Sequence, residues 1–263
     1  MISIVIPVYN EEGLIDELSG RISNLFASIN EEFEVILVDD GSTDGTLSKL
    51  KSCNEKDKRF KVLSLSRNFG HQAAYTAGLN YAKGDYAVMM DGDLQDPPEL
   101  IGELYKKITA EQLDIVFGKR NERNEKFAKR ISIKAFHFIY KRLSNLQNIQ
   151  QVGNFSIMSR KALTAFLALQ EKNRYLPALR SFIGFKQGYV EYARPDRKSG
   201  EAKMTFLKLL TLAFDAVFSF SSLPVKICLY SGLLGVFLIF MAVVYILIGK
   251  ITGLAPLGWS SII

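Results

Sequence analysis

The sequence predicts an α/β protein with a mostly parallel sheet flanked by helices, followed by a C-terminal transmembrane helix or hairpin. Short β-rich runs alternate with helical patterns through the first half of the 263-residue chain, as in doubly wound sheets. Acidic residues follow two of these runs directly, at the edge where open α/β sheets bind ligands. Near the C-terminus, the run from Ile227 to Ile248 contains no charged residue.

The predicted elements follow one another in strict alternation. Strands are expected at Ile2–Pro7, Glu34–Asp39, Phe60–Ser66, Tyr86–Met90 and Asp114–Gly118. Helices are expected at Leu14–Ile29, Thr46–Cys53, His71–Ala82 and Glu99–Ala110. The glycine-rich signatures of dinucleotide-binding and P-loop domains are both missing from the sequence, which argues against oxidoreductase and P-loop NTPase functions.

The apolar run Ile227–Ile248 is long enough to cross a membrane, since about 1.5 Å per residue covers a ~30 Å hydrocarbon core. A second apolar run begins at Trp259 and reaches Ile263, so a second span is expected to start there. Basic residues crowd the side before the first span, whereas Lys250 alone follows it. The positive-inside rule therefore places the N-terminal domain in the cytoplasm, and two isolated cysteines fit that reducing compartment.

Three regions are expected: a cytosolic domain at 1–202, a juxtamembrane amphipathic segment at 203–223 and a transmembrane region at 224–263. The net charge of +6 is attributed to an anionic lipid surface rather than to nucleic acid, because a membrane is the nearer partner. Residues Lys126–Leu146 interleave basic and aromatic side chains. Such a helix lies in the headgroup layer or packs on the sheet with its charges solvated, and the sequence leaves both interpretations open.

The most informative stretch is Asp91-Gly92-Asp93-Leu94-Gln95-Asp96-Pro97, which closes the Tyr86–Met90 run. Two carboxylates separated by one glycine form a small hard-oxygen site that suits Mg²⁺ or Mn²⁺ better than zinc. An ion held by two or three protein oxygens keeps positions open for a diphosphate. The alternative is an acidic turn in which Asp96 caps the helix after Pro97.

A second acidic loop follows the Glu34–Asp39 strand. A helix start with Asp44 as the N-cap would explain Ser42 to Thr46, but not two successive acids closing a buried strand. We expect one of Asp39 and Asp40 to point into the protein and the other to face the crevice. His71 and His137 have no partner at metal-ligand spacing and are interpreted as structural.

Four motifs in order give the chain a specific resemblance: Pro7-Val-Tyr-Asn-Glu11, Val38-Asp-Asp-Gly-Ser-Thr-Asp-Gly-Thr46, Ser66-Arg-Asn-Phe-Gly-His71 and Asp91-Gly-Asp-Leu-Gln-Asp-Pro-Pro98. From Met1 to about Pro224, the chain resembles the family 2 inverting glycosyltransferases, which have the GT-A fold. Within that family it is similar to the polyprenyl-phosphate branch, which includes dolichyl-phosphate mannose synthase and the bactoprenol glucosyltransferases.

The resemblance implies roles for individual residues. Nucleotide-sugar binding, with Asp40 on the base, falls to Pro7, Tyr9, Glu11, Val38, Asp40, Asp91, Gly92, Asp93, Arg120, Arg197 and Lys203. The metal ligands for Mg²⁺ or Mn²⁺ would be Asp91, Asp93 and Gln95, and the catalytic residues Asp93, Arg197 and Lys203. The basic loop Arg197–Lys203 would close over the diphosphate. Its alternative interpretation is an ordinary positive cluster on the cytosolic side.

Two positions depart from the family pattern. Ala202 stands where the family's loop has serine, and the Gly-Asp-Phe-Arg motif reads Gly153-Asn154-Phe155-Ser156. Asn154, the implied acceptor-site residue, cannot take a proton, which a hydroxyl acceptor would require. A lipid monophosphate has a second pKa near 6 and is already ionised. The departure therefore favours a phosphate acceptor.

The expected function is transfer of a hexose from a nucleotide sugar to polyprenyl phosphate (undecaprenyl or dolichyl) on the cytoplasmic membrane face, with inversion. UDP-glucose is the preferred donor and GDP-mannose the alternative. Transfer to a glycan hydroxyl is disfavoured by Asn154. A non-catalytic membrane scaffold is disfavoured by the intact Asp91, Asp93, Gln95, Arg197 and Lys203. The sequence leaves open whether the protein forms a homo-oligomer.

Overall fold

The computed structural model describes residues 1–29, 31–120, 152–169, 176–192 and 223–252. Within these ranges, seven strands form one mixed sheet in the order β3-β2-β1-β4-β6-β5-β7. The strands are β1 (Ile2–Val8), β2 (Phe33–Asp39), β3 (Phe60–Ser64), β4 (Tyr86–Met89), β5 (Ile115–Arg120), β6 (Val152–Ser159) and β7 (Gln187–Tyr192). The helices are α1 (Ile15–Ile29), α2 (Thr46–Lys56), α3 (His71–Tyr81), α4 (Leu100–Ala110), α5 (Arg160–Leu167), α6 (Leu176–Phe182) and α7 (Leu223–Ile251).

The sheet is mostly parallel, as predicted. Strand β1 pairs in parallel with β2 and β4, β2 with β3, and β5 with β7. Strand β6 runs antiparallel between β4 and β5. Every residue of the central strands β1 and β2 is buried, because helices cover both faces of a doubly wound sheet. The register of β1 and β2 pairs Pro7 with Val38 and Val8 with Asp39, so both strands end at the same level.

The predicted strands and helices are confirmed to within a few residues, with two notable differences. The run Phe60–Ser66 stops being a strand at Ser64, and the chain then bends so that the next loop reaches β2. The strand expected at Asp114–Gly118 extends to Arg120. Strands β6 and β7 and helices α5 and α6 were not predicted.

Helix α3 lies close against the sheet because it carries a glycine at the contact point. A Cβ atom at Gly78 would stand 2.4 Å from Val5 Cγ1 and 2.8 Å from Val38 Cγ2. Both neighbours are fully buried and β-branched, so they have little freedom to turn away. Gly78 therefore sets how near α3 approaches β1 and β2.

In the C-terminal part of the chain, the described residues 223–252 consist almost entirely of helix α7. Its segment Cys228–Ile251 has a mean hydropathy of 2.7 and, among the described residues, is the one helix long and apolar enough to cross a membrane. Large apolar side chains are exposed along it, including Leu233, Phe237 and Phe240, which suits lipid surroundings. The second apolar run, the basic stretch Lys126–Leu146 and the boundary at 202/203 lie outside the described residues. The division into three regions stays a prediction.

Gly78→Ala is expected to lower the melting temperature. The added methyl group overpacks the valine contact, at about 1–3 kcal/mol, which exceeds the gain of about 1 kcal/mol in helix propensity. Gly102→Ala in α4 is the matched control, since its Cβ would meet its nearest atoms at 3.6 and 3.7 Å. The control should keep or raise the melting temperature. Equal stabilisation by both changes in thermal unfolding would contradict this account of α3.

Candidate active site

The predicted metal-binding loop leaves the sheet beside the end of β1. Met90 N–H donates to the Val5 carbonyl at 3.2 Å, and Asp91 to Asp93 follow beyond the sheet edge. A Cβ at Gly92 would lie 2.8 Å from both Glu11 Oε2 and Val8 Cγ1. Only glycine allows this approach, which brings the Glu11 carboxylate alongside the Asp91-Gly92-Asp93 turn.

Asp93 and Gln95 share a tight turn. Gln95 N–H donates to Asp93 Oδ1 at 3.1 Å, while the buried Leu94 between them adopts a left-handed conformation with φ of 57°. An aspartate that accepts from the backbone two residues later forms an Asx turn. The turn fixes one oxygen of Asp93 with respect to its own loop and keeps the side chain partly exposed.

The carboxylate of Asp91 is held from two other elements. On α3, His71 Nε2 lies 2.9 Å and the Tyr75 hydroxyl 2.7 Å from Asp91 Oδ1. From β6, Asn154 Nδ2 reaches the same oxygen at 3.5 Å. A carboxylate can only accept, so all three groups are donors. They fix the orientation of the Asp91 side chain.

The charges of this loop alter the titration of both α3 side chains. Burial together with the negative charge of Asp91 raises the pKa of Tyr75 well above its ordinary value, so the phenol stays protonated. Burial opposes protonation of His71, but its hydrogen bond to Asp91 and the nearby charges of Glu11 and Asp93 outweigh that effect and raise its pKa. Both shifts reflect the acidic side chains that surround the start of α3.

The two acids that close β2 are both buried, and the expectation that one of them faces the crevice stays a prediction. Asp39 accepts from Ser42 N–H at 3.0 Å and from the Ser64 hydroxyl at 3.2 Å. Asp40 accepts from two backbone N–H groups, those of Phe69 at 2.8 Å and Gly70 at 3.0 Å. Asp40 therefore ties the loop after β3 to the end of β2. Its role on the base stays a prediction.

Both alternative capping interpretations are wrong. The N-cap of α2 is Gly45, although Asp44 still accepts at 3.0 Å from the N–H of Thr46, the first residue of the helix. The N-cap of α4 is Glu99. Asp96 is completely buried and accepts a hydrogen bond from the Tyr192 hydroxyl, so it joins the loop to β7.

The structure describes only some of the remaining predicted site residues. Pro7 and Val38 are buried register partners, and Tyr9 directly follows β1. Arg120 ends β5, but its side chain is outside the described part. Arg197 and Lys203, with the basic loop between them, also lie outside the described residues. His137 falls outside them as well.

Sequence reasoning missed two residues near the site. His71 was interpreted as structural, although its position at the start of the helix that follows β3 put it on the same sheet edge as Asp91. Arg180 of α6 is fully buried and donates at 2.7 Å to the carbonyl oxygens of both Gly153 and Asn154. It also donates to the Ser156 hydroxyl, so it fixes the backbone that presents Asn154.

The donor set fits a divalent cation that is shared with a substrate. Among the described residues, no group of three or more His, Cys, Asp or Glu side chains is arranged to hold a metal. The predicted ligands, the carboxylates of Asp91 and Asp93 and the amide oxygen of Gln95, are all hard oxygen donors. Mg²⁺ and Mn²⁺ prefer such oxygens, and Mg²⁺ is commonly bound by one or two carboxylates plus substrate phosphates.

Comparison with known proteins assigns the chain to a family. Residues 3–167 match the family model described as glycosyl transferase family 2. The uncharacterized glycosyltransferase YkcC of Bacillus subtilis is 39% identical over 99% of this chain and 81% of its own length. The prophage bactoprenol glucosyl transferase homolog of Escherichia coli is 35% identical over 88% of this chain and 76% of its length. The protein is a glycosyltransferase, and the chain belongs to glycosyl transferase family 2.

Solved structures agree on the fold. Glucosyl-3-phosphoglycerate synthase from Mycobacterium tuberculosis, in complex with Mn²⁺, UDP-glucose and phosphoglyceric acid, aligns with a TM-score of 0.55 at 20% identity, over 83% of this chain and 79% of that one. The mannosyltransferase PcManGT from Pyrobaculum calidifontis, in complex with GDP-Man and Mn²⁺, aligns with a TM-score of 0.51 at 18% identity, over 88% and 79%. The predicted GT-A fold is confirmed.

Asp93→Ala is expected to abolish transfer without unfolding the protein, because Asp93 is a partly exposed loop residue. Asp93→Asn is the sharper variant, since its amide oxygen can still accept from Gln95 N–H while the charge is lost. Both should weaken Mn²⁺-dependent donor binding by more than about tenfold at an unchanged melting temperature. Unchanged affinity and turnover in the asparagine variant would show that the metal assignment is wrong.

Proposed function

We propose that this glycosyltransferase moves a hexose, preferably glucose from UDP-glucose, to a polyprenyl phosphate on the cytoplasmic membrane face, with inversion. Named bactoprenol glucosyl transferases with 34–35% identity over 88% of the chain support the reaction class. The observation that carries the acceptor assignment is the side chain beside Asp91. It is Asn154, an amide with no proton-accepting role.

The donor end is assigned to the acidic turn and its neighbours. Glu11, Asp91 and Asp93 concentrate negative charge at this edge of the sheet. Without a cation, these carboxylates would repel a diphosphate. A bound Mg²⁺ or Mn²⁺ would supply the positive charge that joins these carboxylates to the diphosphate and stabilises it as it departs. Arg197 and Lys203 are proposed to add charge-assisted hydrogen bonds to the same leaving group.

The acceptor end requires no base. A phosphate monoester carries about −1.5 to −2 charges at neutral pH, so one of its oxygens can attack the anomeric carbon directly. The bond from that carbon to the nucleoside diphosphate breaks as the new glycosyl phosphate bond forms. Attack from the face opposite the leaving group inverts the configuration. Asn154 is proposed to orient the acceptor or the sugar by hydrogen bonding.

The membrane assignment rests on α7 and on the charges around it. A lipid acceptor must be reached at the bilayer surface, and an apolar helix in the same chain would keep the catalytic domain there. Basic residues before this helix favour a cytoplasmic catalytic domain by the positive-inside rule. The three regions at 1–202, 203–223 and 224–263 are proposed on this basis.

The purified chain in lipid nanodiscs, supplied with UDP-glucose and Mn²⁺, tests the assignment. Undecaprenyl phosphate is the proposed acceptor, and undecaprenol, which has a hydroxyl in place of the phosphate, is the matched control. Mass spectrometry should detect glucosylated lipid from the phosphate and none from the alcohol. Equal transfer to the alcohol would contradict the acceptor assignment. A preference for GDP-mannose over UDP-glucose would show that the proposed donor is wrong and that GDP-mannose is the donor.

Asn154→Ala should reduce turnover only modestly, because no proton has to be removed from a phosphate acceptor. Asn154→Asp should give no large gain, since an ionised phosphate acceptor has no proton that the new carboxylate would have to remove. Steady-state rates with undecaprenyl phosphate check both variants. A rate increase of several orders of magnitude in Asn154→Asp would instead reveal a missing base and a hydroxyl acceptor.

A further inference from the structure

We propose that His71 and Tyr75 are positioning residues, which set the orientation of the Asp91 carboxylate and thereby the affinity of the site for a cation and a nucleoside diphosphate. This inference rests on the proposed donor site. It assigns part of that site's affinity to a helix that contributes none of the predicted metal ligands. The argument depends on three features: a rigid helix, two donors on one of its faces and one shared acceptor atom.

Helix α3 is held firmly at both the start and the middle. Just before the helix, Gly70 has φ of 92°, and its N–H donates to the buried Asp40. The carbonyl of Gly70 accepts from Ala73 and Ala74 N–H at 3.0 and 3.1 Å. Further along, Gly78 packs directly on the side chains of β1 and β2. The first turn of α3 therefore cannot shift without moving the sheet edge.

His71 and Tyr75 stand one turn apart on the same face of this helix. Their rings meet edge to face, with centroids 4.8 Å apart and an interplanar angle of 82°. Tyr75 is completely buried, whereas the His71 side chain is 44% exposed. The pair thus consists of a buried anchor and an outer donor that can be changed with little loss of packing.

His71 Nε2 and the Tyr75 hydroxyl both donate to Asp91 Oδ1, at 2.9 and 2.7 Å respectively. Asp91 itself comes from the loop after β4, so its backbone and its carboxylate are fixed by different elements. Two donors from a fixed helix limit rotation of the carboxylate about its side-chain bonds. Partners that orient a metal-binding carboxylate in this way typically change metal affinity by about 10–100-fold when they are removed.

The inference is tested with the full chain in detergent by calorimetric titration of UDP, and separately of GDP, with Mn²⁺ and with EDTA. His71→Ala should weaken Mn²⁺-dependent nucleotide binding by about 10–100-fold and leave metal-free binding unchanged. Tyr75→Phe, which keeps the ring, should act in the same direction. Asn80→Ala on the same helix, where the side chain donates to the Thr76 carbonyl at 2.8 Å, is the control and should bind as the wild type does.

A conservative variant separates positioning from packing. The Nε2 of His71→Gln can reach the place of the imidazole Nε2, so His71→Gln should recover most of the affinity lost in His71→Ala. The inference is overturned if His71→Ala binds nucleotide normally, if glutamine rescues nothing, or if binding falls equally in EDTA. Wild-type protein without Mn²⁺-dependent nucleotide binding would overturn both this inference and the donor site. Normal binding with no transfer to undecaprenyl phosphate would overturn the proposed acceptor alone.

Discussion

The fixation of carboxylates at one edge of the sheet is the constraint on which the rest of this site depends. Asp39 and Asp40 are buried, and each accepts two hydrogen bonds. Asp39 accepts from the loop after β2 and from Ser64 at the end of β3, and Asp40 accepts twice from the loop after β3. Burying a charge is costly unless hydrogen bonds replace its hydration. The loops must therefore adopt the conformations that supply those donors, and this in turn sets the start of α3 next to Asp91.

A second chain of contacts joins β1 to the same edge. Gly92 permits the Asp91-Gly92-Asp93 turn to touch Glu11 and Val8, while Glu11 N–H donates to the Thr46 hydroxyl at 3.0 Å. Glu12 accepts from Gly45 N–H at 3.2 Å. The exits of β1, β2 and β4 are thus connected by short polar contacts. These contacts hold the Glu11 carboxylate beside the Asp91-Gly92-Asp93 turn despite the repulsion between like charges.

Much of the fold followed from local patterns, because the first four strands and helices bury continuous or periodic apolar runs. Strand β6 could not be predicted in the same way, since Gly153 and Asn154 have weak strand propensity and their pairing depends on distant strands. The Asp91 loop was recognisable from two acids closing a strand. The contact of His71 with Asp91 was not, because a search for metal-ligand spacing compares residues near in sequence. The buried Arg180 likewise depends on tertiary packing of a short helix.

The central claim is that Asp91 and Asp93 bind the donor's diphosphate through a divalent cation. The most direct test is a crystal structure of the protein grown with Mn²⁺ and UDP-glucose, with anomalous scattering recorded for manganese. The account predicts one anomalous peak in contact with a carboxylate oxygen of Asp91 or Asp93 and with diphosphate oxygens. A nucleotide bound at this edge with manganese remote from both carboxylates, or with no manganese at all, would contradict it.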